Sequence, residues 1–225
     1  MLFDAILVGS QLFHEVEPLG GFYDNYLAGK RWQLWKQEGT IDLVEIERLI
    51  LFLNQWRTHY ENSRATQQSL LEAIQSVFPL LQALEAESLM GVDFKRLLMP
   101  GTTVSQAIEQ IFERIASCGR RYESTGTAKI MHTINPGLFV MWDSSICGGY
   151  AVNGHGYDHG HRFLPRIQKL ARNAIREYTQ TQGGSQEQAI VALCKCGHTL
   201  AKVLDEYNYT KFTLKRDEVW NLELG

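Results

Sequence analysis

The stretch RFLPRIQKLARNAIREYTQ, residues 162–180, intersperses apolar and basic side chains with the period of an α-helix. Its apolar residues recur every three or four positions, which places them on one helix face and predicts that this face is buried. They are Phe163, Ile167, Leu170, Ala171, Ala174 and Tyr178. The pattern indicates an amphipathic helix packed against a helical core.

The same periodicity recurs along most of the chain. It predicts helices over 40–60, 65–87, 103–118, 125–133 and 185–207. Two of these starts carry a capping-box pair, Thr103 with Gln106 and Ser185 with Gln188. Pro79 falls inside the second helix and should kink or split it, because proline lacks a backbone donor.

These patterns predict an all-α fold with one domain over residues 1–225 and about seven to nine helices. Weak alternation over 209–214 predicts at most a minor extended segment near the C-terminus. The glycine- and histidine-rich stretch 148–161 predicts an irregular loop, and loops of this kind often carry function.

Composition and charge are those of an ordinary globular protein. Of 225 residues, 44% are hydrophobic and 21% are charged, and the formal net charge is −3. No apolar run approaches the ~20 residues of a membrane helix, and residues 1–10 lack the basic lead of a signal peptide. Four cysteines are too few for a disulfide framework. We therefore expect a soluble, cytoplasmic protein with no membrane partner.

Cations are concentrated in the central part of the chain. Residues 114–176 contain nine Lys or Arg against three acids, a local charge of +6 that leaves −9 for the remainder. Five cations of the helix over 162–180 project within about a third of its circumference. They are Arg162, Arg166, Lys169, Arg172 and Arg176. Such a row can bind successive phosphates and predicts a DNA-binding surface. The alternative is a solvated face that pairs with the acidic remainder.

Four potential metal ligands lie in or beside the predicted loop. They are His155, Asp158, His159 and His161. Imidazole and carboxylate donors suit zinc, iron or manganese, but the intervening glycines give the rings no fixed common face, so we predict neither a metal nor another cofactor. Cys194 and His198, four residues apart in the predicted last helix, could share a metal or pack in the core, and we favour packing.

A lone carboxylate in the segment 121–150 has two interpretations. The segment reads RYESTGTAKIMHTINPGLFVMWDSSICGGY. A short helix runs into the turn signal Asn135-Pro136, and an apolar run then ends at Asp143. Asp143 can cap the following helix by accepting backbone N–H bonds. Beside Trp142 and a basic region, it could instead act as an acid or base, or stabilise developing positive charge.

This order of elements resembles the helix-hairpin-helix DNA glycosylase superfamily over about 30 residues. The resemblance implies an all-α fold, DNA as substrate, and base excision after a nucleotide is flipped out. It implies Gly126 in the hairpin that grips the DNA backbone and Asp143 as the catalytic carboxylate. Lys129 lies one place after the lysine of the bifunctional members, and Ser124 stands where the first hairpin glycine is expected.

Nucleic-acid binding, with glycosylase-like chemistry at Asp143, is the leading functional hypothesis. The alternative is a protein–protein interaction module of a regulatory or defence system, without catalytic activity, whose acidic and basic faces bind another protein. A third hypothesis is a metal enzyme that uses the histidine loop. The five tryptophans could stack on bases, although the apolar runs around them favour core positions.

Overall fold

The helical pattern is realised in the computed structural model, which describes residues 1–17, 20–28, 35, 41–56, 58, 62–118, 124–194 and 197–224. Eleven α-helices of seven residues or more lie in these ranges. They are α1 (Leu2–Val16), α2 (Gly20–Ala28), α3 (Leu43–Gln55), α4 (Arg64–Ala83), α5 (Val104–Ala116), α6 (Ser124–Ile134), α7 (Ser144–Tyr150), α8 (Leu164–Gln182), α9 (Gln186–Leu193), α10 (Leu200–Asn208) and α11 (Asp217–Leu224). The all-α prediction is confirmed, but the predicted number of helices is too low.

The predicted helix over 185–207 is in fact two helices, α9 and α10. The first ends at Cys194, and Gly197 then adopts a left-handed conformation with φ of 77°. Thr199 starts the second helix, because its side chain accepts the backbone N–H of Lys202. The apolar periodicity continued through this break and concealed it.

The irregular loop predicted over 148–161 is limited to residues 151–155, and helical turns take up the rest of that stretch. Within 148–161, α7 ends, a single helical turn follows at Gly156–Asp158, and a π-helical turn over His159–Phe163 leads directly into α8. Residues 209–214, for which at most a minor extended segment is predicted, are not extended, since a π-helical turn over Tyr209–Thr213 continues α10.

Glycines near the π-helical turn before α8 serve close packing on α5 rather than loop flexibility. A Cβ atom on Gly160 would lie 2.5 Å from the backbone oxygen of Ser105, and one on Gly156 would lie 2.8 Å from that of Glu109. The Ser105 hydroxyl also donates to the Gly160 carbonyl at 2.9 Å. The absence of side chains therefore allows two backbones to touch.

Pro79 does not split α4, which continues through it to Ala83. Between α4 and α5 lies the one sheet of the described residues, an antiparallel hairpin of β1 (Leu97–Met99) and β2 (Thr102–Thr103). Gly101 closes it in the left-handed conformation with φ of 77°.

The N- and C-terminal helices meet on the same core. The apolar face predicted for 162–180 is buried or half-buried in α8, and α1 packs against α8, α10 and α11. The terminal amine of Met1 donates to the carbonyl of Leu222, and the Leu2 N–H donates to the Glu177 carboxylate at 2.9 Å. None of the described helices combines the length and apolarity needed to cross a membrane.

Gly160→Ala should destabilise the fold, because the new methyl group would collide with the Ser105 carbonyl. We expect a loss of about 1–3 kcal/mol in the free energy of unfolding, measured by urea denaturation. Gly148→Ala is the matched control, because its new methyl group would meet nothing within 4 Å and the residue lies in α7. Equal destabilisation by the two substitutions would contradict the packing argument.

Candidate active site

A cavity opens among α1, α6, α10 and the segment that precedes α7. About 540 Å³ of space in and around it is free of protein atoms, counting the solvent at its open mouth. Its apolar lining comprises Phe13, Trp56, Met141, Trp142, Ile146 and Tyr209. Its polar lining comprises Glu17, Thr125, Lys129, Asp143, Lys202 and Asp205. We refer to it as the aromatic cavity.

Lys129, on α6, presents an amine to the aromatic cavity. Its Nζ donates to the backbone oxygen of Trp56 at 2.8 Å and lies 5.3 Å from the centre of the Trp56 ring. Burial lowers the pKa of Lys129 to about 8, with Lys202 adding to the decrease and Asp205 and Asp143 opposing it. Roughly one molecule in ten therefore carries the neutral amine at pH 7, which makes Lys129 a candidate nucleophile.

Asp143 caps α7 and also borders the aromatic cavity. Its Oδ1 accepts the backbone N–H of Ile146 at 2.8 Å, and its Oδ2 accepts the hydroxyl of Thr213 at 2.5 Å. The predicted capping role is therefore confirmed. A carboxylate oxygen can accept more than one hydrogen bond, so these two contacts leave capacity for a ligand in the cavity.

Lys202 and Asp205, both on α10, form the charged wall of the cavity. The side chain of Lys202 is only 2% exposed, and its Nζ lies 2.8 Å from Asp205 Oδ2 and 3.6 Å from Glu206 Oε1. Burial raises the pKa of Asp205, against the opposing charge of Lys202. The Lys202 ammonium lies 4.5 Å from the Phe13 ring centre and 5.3 Å from that of Trp56. Cation–π attraction thus adds to the ion pair.

A neutral histidine, His132, is connected to this charged wall through Tyr23. His132 is fully buried, its Nδ1 donates to the Phe139 carbonyl at 2.6 Å, and its Nε2 accepts the Tyr23 hydroxyl at 2.7 Å. Burial lowers the pKa of His132 to about 3, so the ring is uncharged at neutral pH. Burial also raises the pKa of Tyr23, and its intact phenol lies 5.3 Å from the Lys202 ammonium.

The structure thus brings together two residues singled out from the sequence, Lys129 and Asp143, and adds two that the sequence analysis missed. Lys202 and Asp205 lie in the helix predicted over 185–207, but the sequence analysis assigns no function to either residue. The sequence did contain an indication of their position. Lys202 and Asp205 carry opposite charges and are three residues apart, and closely spaced apolar residues surround them. Such a helix buries some of its charges whichever face it turns inward.

The five cations of the basic row are exposed, four on α8 and Arg162 in the π-helical turn before it, and none of them lines the aromatic cavity. Arg162 pairs with Asp158 at 3.1 Å. Arg166 donates to the Tyr150 carbonyl, and Arg172 donates to the Met90 carbonyl at 3.0 Å. The remaining two, Lys169 and Arg176, contact no acid in the described part of the chain. Only one of the five is therefore neutralised by an acidic side chain there.

The residues implied by the DNA glycosylase resemblance are placed as follows. Gly126 is buried within α6, one turn before Lys129. Residues 119–123, which would complete a preceding hairpin, lie outside the described residues. Asp143 follows on the next helix start.

The four candidate metal ligands near the predicted loop do not converge on one point. His159 is buried against Val140, whose carbonyl lies 3.2 Å from its Nε2, while His161 lies 3.2 Å from Glu109. Asp158 accepts the Asn153 N–H at 2.7 Å and holds Arg162. His155 is the N-cap residue of the helical turn, without a side-chain capping bond. Cys194 and His198 do not share a helix.

No protein-family profile, curated protein or solved structure matches this chain.

Lys129 should titrate well below the ordinary lysine pKa of ~10.4, because burial disfavours its charged form and brings the pKa to about 8. Reductive ¹³C-methylation followed by NMR across a pH series measures this directly. Burial also lowers the pKa of Lys211 to about 8, so two early-titrating signals are expected. Lys129→Arg should remove one and Lys211→Arg the other. If the Lys129→Arg variant keeps both early-titrating signals, the assignment of one of them to Lys129 is wrong.

Proposed function

We propose that this protein binds DNA and cleaves the N-glycosidic bond of a nucleotide that is turned out of the strand into the aromatic cavity. One observation carries the proposal: Lys129 and Asp143, on separate helices, line a single cavity walled by aromatic rings. An extruded base can stack on such rings, and its sugar would then lie near an amine and a carboxylate.

The two side chains have complementary chemical roles. As the bond between the base and C1′ of the sugar breaks, positive charge develops on the sugar, and the Asp143 carboxylate stabilises it. The neutral amine of Lys129 forms a bond to C1′, and the base departs with the electron pair of the broken bond. The proton lost by the amine passes to Asp143 and then to the leaving base. Water later hydrolyses the amine adduct and regenerates Lys129.

The basic row supports phosphate binding close to this cavity. Arg166 donates to the Tyr150 carbonyl at the end of α7, and Asp143 caps the start of the same helix. A helix of seven residues is about 10 Å long. Arg166 of the basic row is therefore separated from the Asp143 carboxylate by roughly the length of α7. Neighbouring phosphates of one DNA strand can span such a distance.

Asp143→Asn should abolish base release while it preserves the fold. Asparagine caps a helix as well as aspartate does, but it lacks the charge that stabilises the sugar cation. We expect at least about a 100-fold lower rate on a panel of duplexes that each carry one modified or mismatched base, assayed by alkaline strand cleavage. Asp42→Asn is the matched control, since Asp42 caps α3 through the Glu45 N–H at 2.9 Å, outside the cavity lining.

If the wild-type protein releases bases and the Asp143→Asn variant still does so, the catalytic assignment is refuted. Absence of release across the whole panel, with tight DNA binding retained, would reduce the proposal to recognition alone.

Arg176→Glu should weaken duplex binding and flatten its dependence on salt, because each lost phosphate contact lowers the slope of log K against log salt by about 0.9. Fluorescence anisotropy over a salt series measures both quantities. Arg64→Glu makes the same charge change at an exposed position on α4 and serves as the control. Equal effects of the two substitutions, or no binding at low salt, would contradict a DNA surface on α8.

A further inference from the structure

A cluster of two histidines and a glutamate lies beside the charged wall of the aromatic cavity, since its glutamate, Glu206, is 3.6 Å from Lys202 Nζ. His14 comes from α1, Glu206 from α10 and His198 from the turn before α10. One donor atom from each lies within 4.8 Å of the other two. Within the described ranges this is the one place where three side chains of metal-ligating type gather so closely.

His198 lies between two carboxylates, so the neutral form of its ring cannot donate to both of them. Its Nε2 lies 3.0 Å from Asp24 Oδ1, and its Nδ1 lies 2.8 Å from Glu206 Oε1. A neutral imidazole carries one N–H, so one of its nitrogens would direct a lone pair at a carboxylate oxygen. Either a second proton or a metal ion must therefore occupy the space between His198 and one of its carboxylates.

His14 offers a nitrogen that no other group uses. Its Nε2 is buried and has no hydrogen-bond partner in the described part of the chain, although it lies 3.4 Å from Glu206 Oε2. That separation matches the spacing of about 3.4 Å between two ligands of a tetrahedral zinc ion, given metal–ligand bonds of about 2.0–2.1 Å.

Glu206 is held in place to act as the third ligand. Its side chain is fully buried, and its Oε2 accepts the hydroxyl of Ser10 at 2.6 Å. The Lys202 ammonium lies 3.6 Å from Oε1 and so interacts with the other oxygen of the carboxylate. This leaves a lone pair of Oε2 available on the side of His14.

We propose that His14, His198 and Glu206 bind a divalent transition metal, with zinc as the best match to their chemistry. Two imidazoles and one carboxylate are an established zinc ligand set, which leaves a fourth coordination position for water or a ligand. Asp24 supplies the outer carboxylate, because it would accept the Nε2–H of His198 and direct Nδ1 toward the metal, an arrangement typical of metal-binding histidines. The His198 ring moves by a few tenths of an ångström from Glu206 to admit the ion.

This inference does not depend on the proposed function. The cluster contains neither Lys129 nor Asp143, and its test contains no nucleic acid.

Isothermal titration of the chelator-treated full chain with Zn²⁺ alone tests the proposal. We expect one zinc ion per chain with micromolar or tighter affinity, and at least tenfold weaker binding in His14→Gln. The His14 side chain is 29% exposed, so this substitution should leave the fold intact, as thermal unfolding in excess chelator would verify. His161→Gln is the matched control, since His161 also faces a carboxylate, Glu109, at 3.2 Å but lies outside the cluster.

A second measurement tests the metal site if the His14→Gln variant does not fold stably. Glu206→Gln should abolish the absorption in the visible region that Co²⁺ gives in a tetrahedral site, while His161→Gln should retain it. Absence of stoichiometric Zn²⁺ binding by the wild-type chain would overturn the proposal. Equal loss of binding in His14→Gln and His161→Gln would overturn it as well.

Discussion

One buried ammonium group organises the interior between α1 and α10. Removing an unpaired charge from water costs several kcal/mol, so Lys202 is stable inside only because Asp205 lies 2.8 Å away and Glu206 lies 3.6 Å away. The rings of Phe13 and Tyr23 complete its surroundings. All nine residues of α10 are buried, which leaves no solvent face toward which these charges could turn. The aromatic cavity and the histidine cluster are consequently linked through one charged helix, since Lys202 lines the cavity and lies 3.6 Å from Glu206 of the cluster.

Local signals made much of the helical framework predictable. The capping boxes that begin at Thr103 and Ser185 are both present, and Asp143 starts α7 as its side-chain chemistry suggests. These features depend on residues within one turn of each other. The sequence-based predictions failed where packing between distant segments decides the structure. The frequent glycines around Gly156 and Gly160 suggested a loop, but these two residues allow close contact with α5.

The candidate site was predictable only in part, for a related reason. Asp143 and Lys129 were recognisable as chemical groups, but their common cavity is created by α1 and α10, which are distant in sequence. His14 attracted no attention because a single histidine in an apolar helix has no local partner. Its relation to Glu206 exists only once α1 is packed on α10. Patterns within a short stretch of sequence carry no information about contacts between helices that are distant in the chain.

The pairing of the chain ends has a consequence for how this protein reaches its native state. The terminal amine and the Leu222 carbonyl that bind each other are 221 positions apart, and α1 also covers α10. Contacts of such long range slow folding, because a large loop must close before they contribute. During synthesis on the ribosome, α1 is made well before α8, α10 and α11, the helices that it packs against. Its apolar face therefore stays exposed until those helices have been made, so this segment is where a chaperone would be needed most.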